Sequence, residues 1–276
     1  STGYTQSTVN SASINNKGVE AILNVIPVQS REFTSDVTAS FSLLRSEVIS
    51  IADGIDQIYV GGYVGRGNIA IPGLPYGILE GEVITRDYGA LDGTDHTQVH
   101  WDDRTGYTPI VNANGGYQFL GYGIIGNPQP DYIYSVTNSL TYKWVNLRVQ
   151  FDSQVGGDVF STTNSTLLGR GILQETDFDR FVPVVTNGLS ADGTQNTTQT
   201  TANAHYWPNT GVFFDENSIY DASVMRLREV SLSFVAPKSF LNGTPFGNAS
   251  LTLSAQNIWH YAWNTPVSYT HLRAHE

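Results

Sequence analysis

One glycine-bearing stretch of the sequence concentrates side chains that could bind a metal ion. It contains, in order, Asp92, Asp95, His96, His100, Asp102 and Asp103. Carboxylates grouped in a loop suit Ca²⁺, but this spacing lacks the alternate ligands, central glycine and closing glutamate of an EF-hand. The two histidines are four residues apart, which makes a zinc pair only on a helix, and Gly93 and the polar residues around it argue against a helix. We therefore favour a solvated acidic loop at 92–103 over a calcium site, and we predict no metal site.

The sequence shows no recognisable arrangement of catalytic residues. A glycosidase needs two carboxylates at a defined separation in a cleft, and 25 Asp and Glu residues offer no way to select two. The sequence contains no GxSxG motif and no phosphate-binding loop. Because it has no cysteine, it has neither a thiolate nucleophile nor a disulfide. We predict that the chain is not an enzyme and uses no cofactor; a buried carboxylate pair in a cleft would be needed to favour catalysis.

Aromatic side chains fall into two groups. Five lie in long polar stretches, where a flat ring could stack on a sugar: Trp101, Tyr107, Tyr117, Tyr206 and Trp207. These are the candidate ligand-binding residues, although packing within the loops is the more common role for any one of them. Four others lie near the ends of alternating segments, where an amphipathic ring suits a lipid–water boundary: Trp144, Trp259, Tyr261 and Trp263. We predict that Trp144 lies at one membrane rim and that the other three lie at the opposite rim.

Apolar and polar residues that alternate with a period of two predict the strands that would position these aromatic residues. Val230, Leu232 and Phe234 alternate with polar residues, and 249–256 alternates Ala and Leu with Ser, Thr and Gln. The predicted strands are 17–26, 33–43, 56–64, 76–88, 131–143, 145–151, 230–234 and 249–256, with a short helix at 167–172 and long connectors at 89–130 and 161–220. The connectors at 27–31, 143–144 and 237–248 are short. Outer-membrane barrels likewise alternate short periplasmic turns with long extracellular loops.

The amino-acid composition limits the fold classes and the kinds of partner that are possible. Charged residues make up 14% of the chain and aromatic residues 12%, a mixture that suits β-structure with a weakly charged polar face. The net charge of −11 argues against a nucleic-acid partner, since phosphate binding needs clustered Lys and Arg. The small polar residues of the alternating segments would not fill a closed eight-stranded barrel. We predict an all-β, antiparallel up-and-down sheet of about eight strands, not closed, that is part of a large transmembrane β-barrel.

The two ends of the chain do not read as natural termini. STGYTQSTVN has no charged segment followed by an apolar one, so no signal peptide is visible. The last ten residues, VSYTHLRAHE, break the alternation and resemble a translated sequencing adapter. We therefore expect residues 1–266 to be a partial β-barrel and residues 267–276 to be a non-native tail.

An ordered set of motifs resembles one family of transporters. DASVMRLREVSLSFVAPKSF followed by ASLTLSAQNIW, within 221–259, is similar to the C-terminal barrel region of the SusC/RagA-like TonB-dependent outer-membrane transporters of Bacteroidetes. SINNKGVEAIL at 13–23, NPQPDYIYSVTNSLTYKWVNLRVQFDSQVGGDVF at 127–160 and LLGRG at 167–171 agree in order. The resemblance covers roughly 11–266. Val224 stands where the family usually has an aromatic residue, and Ala236 where it usually has Leu.

The resemblance implies active import across the outer membrane of a Gram-negative bacterium. The intact relative would take up an oligosaccharide or a peptide, would be capped by a SusD-like surface lipoprotein, and would be energised by TonB through a plug domain that lies before residue 1. This chain would supply lipid-facing barrel wall and extracellular loops. The alternative is a secreted all-β carbohydrate-binding or adhesin module, which would bury its apolar face against a second sheet.

Overall fold

A computed structural model describes residues 12–63, 65–87, 106–202, 205 and 214–264, which are built mainly of antiparallel strands. In chain order the strands are β1 (Ala12–Gln29), β2 (Phe33–Ile51), β3 (Ile58–Tyr63), β4 (Arg66–Ala70), β5 (Ile78–Ile84), β6 (Arg86–Asp87), β7 (Thr108–Val111), β8 (Phe119–Gly126), β9 (Tyr132–Tyr142), β10 (Val145–Val155), β11 (Asp158–Phe160), β12 (Val184–Val185), β13 (Leu189–Ser190), β14 (Gln199–Thr200), β15 (Ile219–Asp221), β16 (Val224–Val235) and β17 (Ser250–Ala262). The helices are α1 (Thr162–Gly169) and α2 (Lys238–Leu241), and 3₁₀ turns cover Gln174–Thr176 and Asp215–Ser218.

The main sheet contains six long strands in the order β1-β2-β9-β10-β16-β17, and every neighbouring pair is antiparallel. Short connectors at 30–32, 143–144 and 236–249 all lie at one end of this sheet, which we call the short-turn rim. The long connectors at 52–131 and 156–223 lie at the other end, the long-loop rim. Neither outer edge, β1 or β17, pairs further within the described residues, so the sheet is open. The predicted antiparallel, unclosed architecture is confirmed.

The register gives the main sheet one apolar and one polar face. Phe234 pairs with Leu251 and Leu232 pairs with Leu253, so these side chains share one face. Following the pairing across the sheet, the apolar face includes Val19, Leu23, Val37, Phe41, Val136, Leu140, Leu147, Val149, Val230, Leu232, Phe234, Leu251 and Leu253. The polar face includes Asn24, Thr38, Ser40, Ser135, Asn146, Gln150, Asp152, Ser231, Ser233, Thr252 and Ser254. Both faces match the alternation read from the sequence.

The first long connector contains a separate four-stranded sheet. The sequence analysis wrongly assigned two of its segments to the main sheet and the others to connectors. The segments predicted at 56–64 and 76–88 do not join the main sheet; their strands β3 and β5 pair with β4 and β8 in a separate four-stranded sheet. Strand β4 lies in a stretch predicted as a connector, and β7 and β8 lie in the stretch predicted to be irregular. Consecutive residues of β4 and β8 are buried, which removes the period-two signal. Ile69, Ile78 and Ile124 form the core of this unit.

The predicted helix at 167–172 begins and ends earlier than expected. Helix α1 covers Thr162–Gly169, because the Ser161 side chain accepts a hydrogen bond from the backbone N–H of Asn164 (3.2 Å) and caps the helix there. None of the described helices is long and apolar enough to span a membrane.

Candidate functional site

Small hydroxyl and amide side chains pair across the strands of the polar face. Ser40 and Ser135 are joined at 2.7 Å, and Ser233 and Thr252 at 3.0 Å. Thr38 donates to the Asn24 side chain at 2.8 Å. These short side chains keep the face polar without projecting far from it, so the face suits the wall of a wide aqueous lumen.

Two arginines of the polar face converge on Asp152. Arg228 donates to both carboxylate oxygens, from Nε to Oδ1 at 2.7 Å and from Nη2 to Oδ2 at 3.0 Å. Arg226 Nε lies 3.5 Å from the same Oδ2. A β-bulge explains why two arginines only two positions apart serve one carboxylate: the register shifts at Arg228 against both neighbouring strands. Both arginines are therefore paired with one carboxylate of the neighbouring strand.

An open cavity of about 390 Å³ lies beside these arginines. Arg226, Arg228, Asn257 and His260 supply its polar lining, and Val224 and Ala262 supply part of its apolar lining. It lies towards the long-loop rim of the sheet, next to β11 and the start of β16. Sequence analysis missed it, because the bulge that gathers these residues has no local pattern.

Three predicted rim aromatics form one column on β17 and the residue after it. The rings of Trp259 and Tyr261 stack at 6.3 Å with an interplanar angle of 7°, and Tyr261 meets Trp263 edge to face at 5.8 Å. Trp259 pairs with Leu227 of β16, and Leu227 pairs in turn with Phe151 of β10. The column therefore belongs to the apolar face at the long-loop rim. The fourth predicted aromatic, Trp144, lies at the short-turn rim.

The distance between the aromatic rims matches a membrane. Strand β9 carries Tyr132 and Tyr134 near the long-loop rim and Tyr142 at the short-turn rim, all on the apolar face. Ten residue steps separate Tyr132 from Tyr142, which is about 33 Å along a strand. A strand tilt of about 40° reduces this to about 25 Å along the membrane normal, the height of the apolar band of a transmembrane barrel.

The candidate ligand aromatics divide by their surroundings. Tyr107 is exposed, in the first long connector. Tyr117 packs edge to face against Phe214 at 6.2 Å, and burial raises its pKa, so it is a packing residue of the loops. Trp101, Tyr206 and Trp207 lie outside the described residues, as does the acidic stretch 92–103. Among the described residues no group of three or more His, Cys, Asp or Glu side chains could hold a metal ion.

Two ion pairs with buried carboxylates join the long connectors. Arg66 donates from Nε to Asp215 at 2.8 Å, and Arg86 Nη1 lies 2.8 Å from Glu216. Asp215 is 1% exposed and also accepts the backbone N–H of Glu82 at 3.1 Å. Burial, together with the negative charge of Asp215, raises the pKa of Glu82. These carboxylates lie between the two connectors, and their ion pairs with Arg66 and Arg86 hold the loops together.

The two-faced sheet, its aromatic rims and its one-sided long loops define the wall of an outer-membrane β-barrel. No protein-family model matches the chain. The chain is 24% identical to TonB-dependent receptor P3 of Formosa agariphila, covering 93% of this chain and 25% of that protein. It is 24% identical to TonB-dependent receptor P26 of the same organism, covering 93% and 26%.

Solved structures share the fold. A chain of the RagAB peptide transporter superimposes with a TM-score of 0.60 at 18% identity, covering 91% of this chain and 26% of that chain. A chain of the RagAB peptide importer in its open-open state gives 0.61 at 17% identity, covering 92% and 26%.

The resemblance to TonB-dependent transporters seen in the sequence is therefore confirmed, and so is the location in the outer membrane of a Gram-negative bacterium. The relatives are receptors and transporters, not enzymes, which agrees with the non-enzymatic prediction. The chain spans about a quarter of the length of the relatives it matches.

Proposed function

We propose that this chain forms barrel wall and extracellular loops of a TonB-dependent importer of large nutrients. The observation that carries the proposal is the combination of a polar, small-residue lumen face with long folded connectors at a single rim. A wall of this kind suits passage of a bulky hydrophilic solute, and loops at one rim suit its capture. Similarity to two TonB-dependent receptors over 93% of the chain supports the same proposal.

The substrate we propose is an oligosaccharide, with a peptide as the other candidate. Of the two candidate ligand aromatics within the described residues, Tyr107 and Tyr117, Tyr107 is the exposed one, so it can present a ring to a sugar at the long-loop rim. Trp101, Tyr206 and Trp207 remain candidates for the same role. The peptide alternative draws support from the fold shared with the RagAB peptide transporter.

We also propose the partners of the full-length protein and the limits of the barrel segment in this chain. A SusD-like surface lipoprotein would meet the long connectors, and TonB would act through a plug domain of the full-length protein. Residues 1–266 would be native barrel, and residues 267–276 would be a non-native tail. The tail lies outside the described residues.

A secreted carbohydrate-binding module is the less favoured alternative. Such a module would bury its apolar face under a second sheet. In the part of the chain that the structure describes, no sheet covers the apolar face, and Leu251 and Leu253 are each 59% exposed. Lipid is the environment in which such a face is stable.

Deletion of the full-length gene tests the import function. The deletion strain is grown on a panel of single oligosaccharides and peptides as sole nutrient, with the full-length gene restored as control. We expect growth on one substrate class to be lost and then restored. Tyr107→Ala should weaken uptake about fivefold, the size of one aromatic stacking contact, whereas the matched variant Gln118→Ala, at an exposed position of the same connector, should not. Unimpaired growth of the deletion strain on the whole panel would exclude the proposed function.

A further inference from the structure

The three short connectors lie side by side along the short-turn rim. The backbone N–H of Lys143 donates to the carbonyl of Glu32 at 2.8 Å, which joins the first connector to the second. The backbone N–H of Val235 donates to the carbonyl of Trp144 at 2.9 Å, which joins the second to the start of the third. The rim is therefore one continuous hydrogen-bonded edge.

Each of these connectors carries one cation in a chain of net charge −11. The cations are Arg31, Lys143 and Lys238, and the same connectors contain a single carboxylate, Glu32. Two of the three lysines in the whole sequence lie here. Lys143 Nζ lies 3.3 Å from Glu32, whereas the exposed Lys238 side chain makes no hydrogen bond or ion pair with any described residue. The rim is thus a basic edge of an acidic protein.

An apolar groove of about 290 Å³ opens beside the same rim. Trp144, Phe234, Pro237, Phe240 and Leu251 line it. Trp144 leans against Phe234 with ring centroids 6.1 Å apart, and Phe240 of α2 is 70% exposed. Phe234 and Leu251 belong to the apolar face, so the groove continues the lipid-facing surface up to the basic edge.

We propose that this rim binds one anionic phospholipid of the periplasmic leaflet. An acyl chain lies in the groove, and Lys238 and Lys143 hold the headgroup phosphate. An apolar groove that meets lysines at the membrane surface matches the two parts of a phospholipid. The proposal depends on the outer-membrane location and on short turns facing the periplasm, and not on which solute is imported.

Fluorescence quenching in the full-length protein tests the site. Purified protein in detergent micelles is titrated with phosphatidylglycerol brominated on its acyl chains, and quenching of tryptophan fluorescence is measured. The part of the quenching that is lost in Trp144→Phe reports lipid bound in the groove. Lys238→Gln should raise the lipid concentration for half-quenching about fivefold, the effect of one lysine at a charged lipid surface. Lys17→Gln is the matched control, because Lys17 lies in β1 towards the long-loop rim, and it should leave the titration unchanged.

Brominated phosphatidylethanolamine separates headgroup recognition from simple apolar contact. We expect it to quench the Trp144 component only at higher concentration than phosphatidylglycerol. Equal titrations with the two lipids, an unchanged midpoint in Lys238→Gln, or no Trp144 component would each overturn the proposal. The circular dichroism spectrum of each variant must match that of the parent. Growth on the imported nutrient should persist in Lys238→Gln, so failure here and failure of the import function are distinguishable.

Discussion

Asp152 holds two arginines on the polar face, since it accepts two hydrogen bonds from Arg228 and forms an ion pair with Arg226. Removing the carboxylate charge would leave both arginines side by side without a counter-charge. Hydrogen bonds between charged groups are worth more than neutral ones, although partial exposure of both arginines reduces their value. Asp152 is therefore a structural residue of the lumen wall.

We expect Asp152→Asn to destabilise the full-length protein by about 1–2 kcal/mol, because the remaining amide pairs poorly with two cations. The thermal unfolding midpoint, followed by circular dichroism in detergent, should fall. Asp36→Asn is the control: Asp36 lies on the same face and is exposed, on β2. Equal midpoints for the two variants would contradict the role assigned to Asp152.

Glu82 makes the stability of the loop unit depend on pH. Burial and the charge of Asp215 raise its pKa, and Arg66 opposes them. A raised carboxyl pKa means that the folded state binds the proton more tightly, so this contribution to stability is complete below about pH 4.5. It is lost as the pH rises through the raised pKa. Acidification should therefore tighten the contact between the two long connectors at this residue.

Comparison of wild type with Glu82→Gln at matched pH should reveal this effect. Hydrogen exchange of β5 should be slower in Glu82→Gln than in wild type at neutral pH, because the neutral amide avoids the buried charge. The difference should shrink as the pH falls below the raised pKa. Asp56→Asn, an exposed acid in the same connector, should show no such trend. A difference that is constant with pH would contradict the assignment.

At the scale of elements, the β16–β17 hairpin depends on an irregularity. Its register shifts between Leu227 and Glu229, and Asn257 opposite adopts a φ of +53°. Asn tolerates this left-handed conformation better than most residues, and its side chain accepts a hydrogen bond from Arg228 at 2.9 Å. The irregularity thus places Arg228 over Asp152 and shapes the lumen cavity.

Two substitutions at Asn257 separate backbone conformation from hydrogen bonding. Asn257→Ala and Asn257→Gly both remove the amide, but only glycine adopts a positive φ without strain. We expect Asn257→Ala to be about 1 kcal/mol less stable than Asn257→Gly. Thermal unfolding of the two variants measures the difference directly. If alanine were as stable as glycine, the backbone account of the hairpin would be wrong.

In the molecule as a whole, polarity differs between the two faces of the main sheet, and charge and loop length differ between its two rims. One face is apolar and the other polar; one rim has short basic turns and the other has long folded loops. The two long loops, far apart in sequence, are fastened by Arg66–Asp215 and Arg86–Glu216. The loop rim is therefore a single structured surface, suited to presenting a binding site or to receiving a partner protein.

The exposed apolar face predicts how the full-length protein behaves in cells. It should stay with the membrane pellet after washing with high salt or alkaline carbonate, and enter solution only with detergent, because lipid covers the apolar face. A peripheral outer-membrane protein serves as the extraction control. Release of the full-length protein by carbonate would favour the secreted-module alternative.

Local sequence patterns are enough to predict the main sheet and its two faces. Alternation in 33–43, 131–143, 145–151 and 249–256 marked strands that face lipid on one side and water on the other, so the pattern was local and strong. The same local pattern located Trp144 and the Trp259–Trp263 column at opposite rims, and the family resemblance followed from ordered local motifs.

The loop rim and the lumen cavity depend on contacts between distant segments, which exist only in the folded chain. Strands β4 and β8 end in consecutive buried residues, which removes the alternation that would have marked them. Arg66 and Asp215 are 149 positions apart, and no local spacing announces their contact. Tyr117 likewise packs against Phe214, a residue of another connector. Contacts between distant segments depend on how the chain packs, and the local patterns of the sequence do not encode them.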